Sequence, residues 1–335
     1  MKKLLTFLLA LVLTLSSASL ISCTNISSEE KSFSFYAPDG APALAIAKFI
    51  NDGEDFDLNA EINYNVVAAS NIGGIMMQGK GDFIVMPVNA ASKLYKANTD
   101  DPYVMTAVVT HGNLYILSTE EVTLEGLKGK VIGVIGQGLV PDLTLKAILK
   151  DNGLYDSVVV GDTPTEGKIT IRYFAQAPDM LPLLKQGKLS VGLLPEPAAT
   201  KLTTKLAPEK TWHSLDVQEL YDADAKAYPQ AVLMVKKSVY EANKAKIDGM
   251  AQAFADNLSW IKQNTAEAVN AITSALPEGV TPSLDAGSIS ATVIDNCKIY
   301  YQSSLDAKAE VKEYIDKIIA VEPTSAKAVS DEFFA

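Results

Sequence analysis

The chain is expected to fold as an α/β protein of two lobes, each a mixed, mostly parallel sheet flanked by helices. Three observations carry that expectation. Short apolar strands alternate with helical stretches, and polar turns follow the strands' C-terminal ends, as in parallel sheets that place ligand groups there. Of 335 residues, 22 at the N-terminus read as a removable leader, and the remainder still exceeds a usual single-core domain. A new strand–turn–helix unit also begins in mid-chain, at Leu124–Gly153 (LEGLKGKVIGVIGQGLVPDLTLKAILKDNG), as the start of a second lobe would.

The N-terminus comes first. Lys2-Lys3 form a basic start, and Leu4–Leu15 is an apolar run too short to remain as a spanning helix, so Met1–Ser22 reads as a signal peptide. Leu20-Ile21-Ser22-Cys23 resembles the lipobox of bacterial lipoproteins. That resemblance implies that Cys23 is diacylated and holds the protein on the extracytoplasmic side of a bacterial membrane, at the cell surface or in the periplasm. An ordinary secretory leader with a chance cysteine is the alternative. Residues 23–31, rich in Ser, Asn and Glu, read as a flexible tether. The formal net charge is −11, and losing Lys2 and Lys3 with the leader makes the body more acidic still. Such a chain suits neither nucleic acid nor anionic headgroups, which leaves acyl chains as the means of attachment. With Cys297 as the only other cysteine and His111 and His213 as the only histidines, no internal disulfide and no zinc site is expected. No metal or cofactor is expected at all.

Ser32–Ala37 alternates as a strand and stops at Pro38-Asp39-Gly40; Pro42 then starts a helix with Ala43, Leu44, Ala47 and Ile50 at helical spacing. Strand Ile62–Ala68, helix Gly73–Gln78, strand Phe83–Met86 and helix Ala90–Lys96 follow. Val104–Val109 and Leu114–Ser118 are strand-like. In the opening of the second lobe, Val131–Ile135 is a buried strand and Gly136-Gln137-Gly138 a turn. Pro141 and Asp142 suit a helix start, and Asn152-Gly153 a helix stop. A dinucleotide GxGxxG would need a third glycine where Pro141 stands. Thr170–Tyr173 and Ser190–Leu194 read as strands, Met180–Gln186 and Ala198–Leu206 as helices, and Pro229–Val235 as another strand. From Ser238 the pattern is almost wholly helical, with buried stripes Met250, Phe254, Leu258, Ile261 and Val311, Ile315, Ile318, Ile319.

Four segments in this order resemble the substrate-binding proteins of ABC importers, in the nitrate/sulfonate/thiamine-precursor (NMT1-like) group. GGIMMQGKGDFIVMPVNAA is similar to that group's helix, G-x-x-D, strand and ligand loop, and LEGLKGKVIGVIGQG to the opening of its second lobe. MLPLLKQGKLSVGLLPEPAA is similar to the segment that closes the cleft, and VKKSVYEANKAKIDGMAQAFADNLSWI to the return to the first lobe. The resemblance implies a type II periplasmic-binding fold. Residues 32–113 plus 231–335 would form lobe I, residues 114–230 an inserted lobe II, and two crossover strands near His111–Ser118 and Pro229–Lys236 the hinge. Two departures stand out. Ser190-Val191 replaces the usual Asp-Ala pair, and the cysteine-rich motif of the pyrimidine-synthase relatives is missing.

Six loops are expected at the cleft: Pro38–Ala41, Ala69–Asn71, Pro87–Ala90, Thr110–Asn113, Gly136–Leu139 and Pro195–Pro197. The candidate ligand-binding residues are Asp39, Gly40, Ala41, Ser70, Asn71, Pro87, Asn89, His111, Asn113, Gly136, Gln137, Gly138, Leu139 and Glu196. Asp39 either accepts from a ligand N–H or caps the next helix. Asn71 and Asn89 either read an amide or heterocycle edge or shape turns. His111 is a hinge contact or a satisfied structural histidine, and Glu196 a fixed carboxylate for a cationic or N–H-bearing ligand or an exposed turn residue. Tyr36 and Tyr115 either stack on a ring or pack. Gly136–Leu139, at a helix N-terminus, is expected to face Asp39 and Asn89.

The only arginine, Arg172, lies on a strand and not in any of these loops, which favours a vitamin precursor or other heterocycle over nitrate or sulfonate. The expected protein is a monomeric, lipid-anchored solute receptor that hands its cargo to membrane permease subunits driven by a cytoplasmic ATPase. An enzyme on the same scaffold is the alternative, with no catalytic residues emerging; a structural lipoprotein is a third reading.

Overall fold

The computed structural model describes residues 31–224 and 227–335; the leader, Cys23 and all but the last residue of the tether lie outside the described residues. In chain order the strands are β1 (Ser32–Pro38), β2 (Glu61–Val67), β3 (Phe83–Pro87), β4 (Tyr103–His111), β5 (Leu114–Ser118), β6 (Val131–Ile135), β7 (Val158–Val160), β8 (Ile169–Phe174), β9 (Val191–Pro195), β10 (His213–Asp216), β11 (Pro229–Lys236) and β12 (Ile299–Ser303). They form two six-stranded sheets, ordered β12-β4-β11-β3-β1-β2 and β10-β5-β9-β6-β8-β7. In the first, β1 runs parallel to β2 and β3, while β11 and β12 run against their neighbours. In the second, β6, β7, β8 and β9 are parallel, and β5 runs against both β9 and β10. This is the two-lobed, mixed α/β architecture expected from the alternation of elements.

Apolar runs become central strands because both their faces are covered. All nine residues of β4 are buried, and β11 is nearly so. One face of the first sheet packs Phe35, Phe83, Val85, Val109 and Leu233 against Phe49, Phe254 and Ile261 of outer helices. Its other face shares a core with the second sheet. Ile84, Met86, Val108 and Val232 join Leu114, Ile116, Val134 and Leu193 there, with Leu143, Ile148, Tyr314, Ile315 and Ile318 filling between. Helix Ser304–Val321 therefore packs on elements of both sheets, against β4 and β11 on one side and helix Val140–Asp151 on the other.

The chain leaves the first sheet at His111 and enters the second at Leu114. Gly112 in this crossing is required by close approach: its N–H donates to Tyr228 O at 2.9 Å, and a Cβ would stand 2.2 Å from the Tyr228 ring. Pro229–Lys236, the second stretch expected near a crossing, pairs with β4 along its length and with β3 from Ala231 to Val235. The C-terminal third departs from the helical expectation. β12 interrupts it, pairing with the edge of β4, and residues 322–335 run largely irregular. The helix expected at Ala90–Lys96 is Val88–Leu94, starting directly after Pro87.

Candidate functional site

Strand register gathers the candidate loops. At one edge of the first sheet, Pro87 pairs with Ala231 and His111 with Pro229; β1, beside β3, ends at Pro38, which puts Asp39–Ala41 on that edge too. In the second sheet Leu114 pairs with Pro195, so the loops after β4 and β9 meet where the chain crosses. There Glu196 N donates to Asn113 O at 2.9 Å, and Gln230 Nε2 donates to Asn113 Oδ1 at 3.0 Å. Gly136–Leu139 follows β6, the neighbour of β9. Gly136 holds φ 68°, a left-handed value that suits glycine, and a Cβ there would meet Leu139 Cδ1 at 2.4 Å. The turn is pinned from its own helix: Asp142, fully buried, accepts from Gly138 N (2.8 Å), Lys146 Nζ (3.0 Å) and Tyr173 OH (2.8 Å). Burial works to lower the Lys146 pKa, but the Asp142 carboxylate outweighs it and holds the ammonium above its ordinary value.

The individual candidates fall into different settings. Asp39 Oδ2 accepts from Ser283 N at 2.7 Å, while Oδ1 is buried without a partner. Gly40 takes φ 108° ahead of the short helix Ala41–Leu44, and Ala41 is buried. Ser70 and Asn71 are exposed in a single turn after β2; Pro87 is half-buried. Asn89 is buried and donates through Nδ2 to Ser325 O at 3.1 Å, leaving Oδ1 unpaired. Gln137 and Leu139 are exposed. Gly138 sits beside Ser325, whose Oγ would lie 3.7 Å from a Cβ there. Gly138 and Asn89 thus approach the same residue from the two sheets, while Asp39 turns to Ser283 instead.

His111 is 1% exposed. Its ring lies flat on Tyr300, with centroids 3.6 Å apart, and Nε2 meets Gln302 Oε1 at 3.1 Å, leaving Nδ1 unpaired. Burial pushes its pKa down to about 4, so it is neutral near pH 7. Glu196 is also buried, and protein donors take up its carboxylate: Thr200 N and Oγ1 at 3.0 and 2.7 Å, and Asn296 Nδ2 at 3.2 Å. Tyr36 and Tyr115 pack against the apolar cores. Arg172 pairs with Asp162 at 3.1 Å.

Asn296 belongs to helix Ala291–Asn296 beside the first sheet, so its bond to Glu196 ties one lobe to the other. Lys201 and Asp285 add an ion pair of 2.6 Å across the same side. At Asp285 burial raises the carboxyl pKa, and Lys201 and Ser288 outweigh it, so the group stays below its ordinary value. On the opposite side the last turn of helix Ser304–Val321 and the segment after it bridge the sheets. Lys150 and Tyr155 donate to Ala320 O and Val321 O (2.6 and 2.7 Å), and Lys93 donates to Thr324 O (2.6 Å). None of Asn296, Lys201, Asp285 or Ser325 carried a signal in the sequence, because each matters only through a distant partner. Among the described residues, no three His, Cys, Asp or Glu side chains are grouped to hold a metal, and no helix is long and apolar enough to cross a membrane. Two shallow surface hollows, around Ile50 and Asn270 and around Phe56 and Lys246, lie away from the strand ends.

No protein-family model and no curated protein sequence matches the chain. Solved structures do. An ABC transporter structure from Parabacteroides distasonis aligns with TM-score 0.71 and 19% identity, over 91% of this chain and 99% of that one. The periplasmic aliphatic sulphonate binding protein SsuA from Escherichia coli aligns with TM-score 0.62 and 14% identity, over 89% and 95%. The ligand binding component of an ABC-type import system from Staphylococcus aureus, with zinc bound, aligns with TM-score 0.58 and 12% identity, over 91% and 96%. At these identities the shared property is the fold, the two-lobed α/β architecture of importer substrate-binding proteins.

Proposed function

We propose that the chain is an extracytoplasmic solute receptor of an ABC import system, anchored through lipidated Cys23, with no chemistry of its own. The observation that carries this reading is the meeting of the predicted ligand loops at the edges of two sheets joined by two crossings, in a fold shared with importer binding proteins. In this reading residues 32–113 and 231–335 move as one lobe and 114–230 as the other. A small organic molecule is buried between them, and the closed form, as a monomer, docks on permease subunits served by a cytoplasmic ATPase. A ligand shifts the lobes only as far as it prefers the closed form.

Within the NMT1-like group, a heterocycle such as a vitamin precursor fits better than the sulphonate or zinc of the neighbours. Arg172, the one residue suited to a bidentate sulphonate clamp, is held by Asp162 with its guanidinium over the Phe174 ring, and the described residues offer no metal cluster. Thermal unfolding of the detergent-solubilised protein against a panel of heterocycles and sulphonates tests the reading. A ligand at 100 times its dissociation constant should stabilise the fold by about 2.7 kcal/mol. A panel without any shift, from protein that releases no small molecule on denaturation, would remove its support.

A further inference from the structure

Two buried carbonyl oxygens near the crossing have no partner: Asn89 Oδ1 and Gln230 Oε1. Both lie at one end of the first sheet, where Pro87 of β3 pairs with Ala231 of β11. Met86 and Val232 pair across β3 and β11 and both enter the core shared with the second sheet. Tyr228, two residues before Gln230, is itself a member of that core. Asn89 lies one residue past Val88, another member, and donates to Ser325 beside core residue Ala326. Looking onto this end from the second lobe are the Gly138 turn, through Ser325, and Thr144, whose hydroxyl lies 2.6 Å from Tyr314 OH. The Tyr314 ring in turn stacks on Tyr228 at 5.4 Å.

The bonds that these side chains already make fix what is left over. The Asn89 amide nitrogen donates to Ser325 O and the Gln230 amide nitrogen to Asn113 Oδ1, so in each amide the nitrogen has a partner and the carbonyl oxygen is bare. The nearby cations are committed elsewhere, Lys93 to Thr324 O and Lys146 to Asp142. Two bare acceptors remain. Buried acceptors left unpaired are costly, and an acceptor-only anion would add repulsion without pairing them.

Building on the receptor reading above, we infer that Asn89 and Gln230 form the recognition face of the cleft. Its solute carries at least two N–H donors, as an amino-substituted ring, an amide or an amidine does. Specificity then comes from unpaired oxygens that reject any analogue lacking those donors.

The test compares donor probes (2-aminopyrimidine, benzamidine, urea) with acceptor-only probes (ethanesulfonate, nitrate, pyridine) by thermal shift and titration calorimetry on the full chain in detergent. Wild-type protein should bind donor probes. Asn89→Leu and Gln230→Leu should each weaken that binding about tenfold or more, and Gln230→Glu, which keeps the acceptor, should retain it. Preference for the acceptor-only probes, or donor binding that is unchanged in both leucine variants, overturns the inference and leaves the receptor reading standing. So does a molecule without N–H groups released on denaturation of protein drawn from cells. If no probe binds and no molecule is released, both fail together.

Discussion

His111 gives the sharpest quantitative expectation. Its ring is sealed against Tyr300 and Gln302, and burial holds its pKa at about 4 against an ordinary 6.5. Above the ordinary value, folded and unfolded chains both carry the neutral ring, and its stabilising effect is fully present. Between 6.5 and about 4 the unfolded chain takes up a proton that the folded chain refuses, so stability falls as pH falls. At about 1.4 kcal/mol for each pH unit, the loss from this one side chain approaches about 3 kcal/mol by pH 4. The facing groups are few: Tyr300, Gln302, the Lys298 backbone and, beyond Gln302 Nε2 at 3.3 Å, the Glu310 carboxylate. Other carboxylates also titrate in this range, so the measurement is a difference. Urea unfolding of wild type and His111→Phe is followed from pH 7.5 to pH 4.5; phenylalanine keeps the ring stack and removes the proton site. The gap between the two curves should shift by about 2 to 3 kcal/mol across that range, with wild type losing more. Of the chain's two histidines, the ring proton signal lost in the variant should titrate far below 6.5. Parallel stability curves, or a His111 signal with a midpoint near 6.5, would refute the reasoning.

Three further outcomes are expected. Charge reversal at the polar bridge between lobes, Lys201→Glu or Asp285→Lys, should widen the separation of spin labels placed on the two lobes, and the double reversal should restore it; the pair is partly exposed, so about 0.2 to 1 kcal/mol is at stake. Gly112→Ala drives a Cβ into the Tyr228 ring and should cost about 1 to 3 kcal/mol or more in equilibrium unfolding. Asp142→Asn leaves Lys146 without its buried partner and should cost about 3 to 5 kcal/mol, with amide exchange quickening at Gly138 as its acceptor weakens.

The sequence disclosed the strands that are covered on both faces and hid most of those that are not. β3, β4, β6 and β11 announce themselves as apolar runs because neighbours shield them, and β1 as an alternation. β7, β10 and β12 were missed, and all three are edge strands of their sheets. An edge strand needs only a partner's free backbone, so His213–Asp216 and Ile299–Ser303 can be polar and still pair. The same logic governs the site. Turn residues at strand ends were legible because glycine and proline mark them locally. The bond from Asn296 to Glu196, or Ser325 reaching Asn89, joins residues that no local pattern connects. Glu196 illustrates the difference: a carboxylate between prolines reads as an offer to a ligand, and only the fold reveals that Thr200 and Asn296 have accepted it.

The topology also imposes an order of assembly. β5 to β10 are contiguous in the chain, so the second sheet closes on contacts of modest sequence separation. β1 to β4, although synthesised earlier, cannot complete their sheet until β11 and β12 arrive. The final residues matter as well, since Phe333 packs edge-on against Tyr95 and Ala335 N donates to Met105 O at 2.9 Å. Loop closure over that distance is slow, so the first half of the chain waits longest with apolar strands unpaired. A growing chain would thus present a finished middle and an unfinished beginning, and its susceptibility to aggregation would concentrate in β3 and β4.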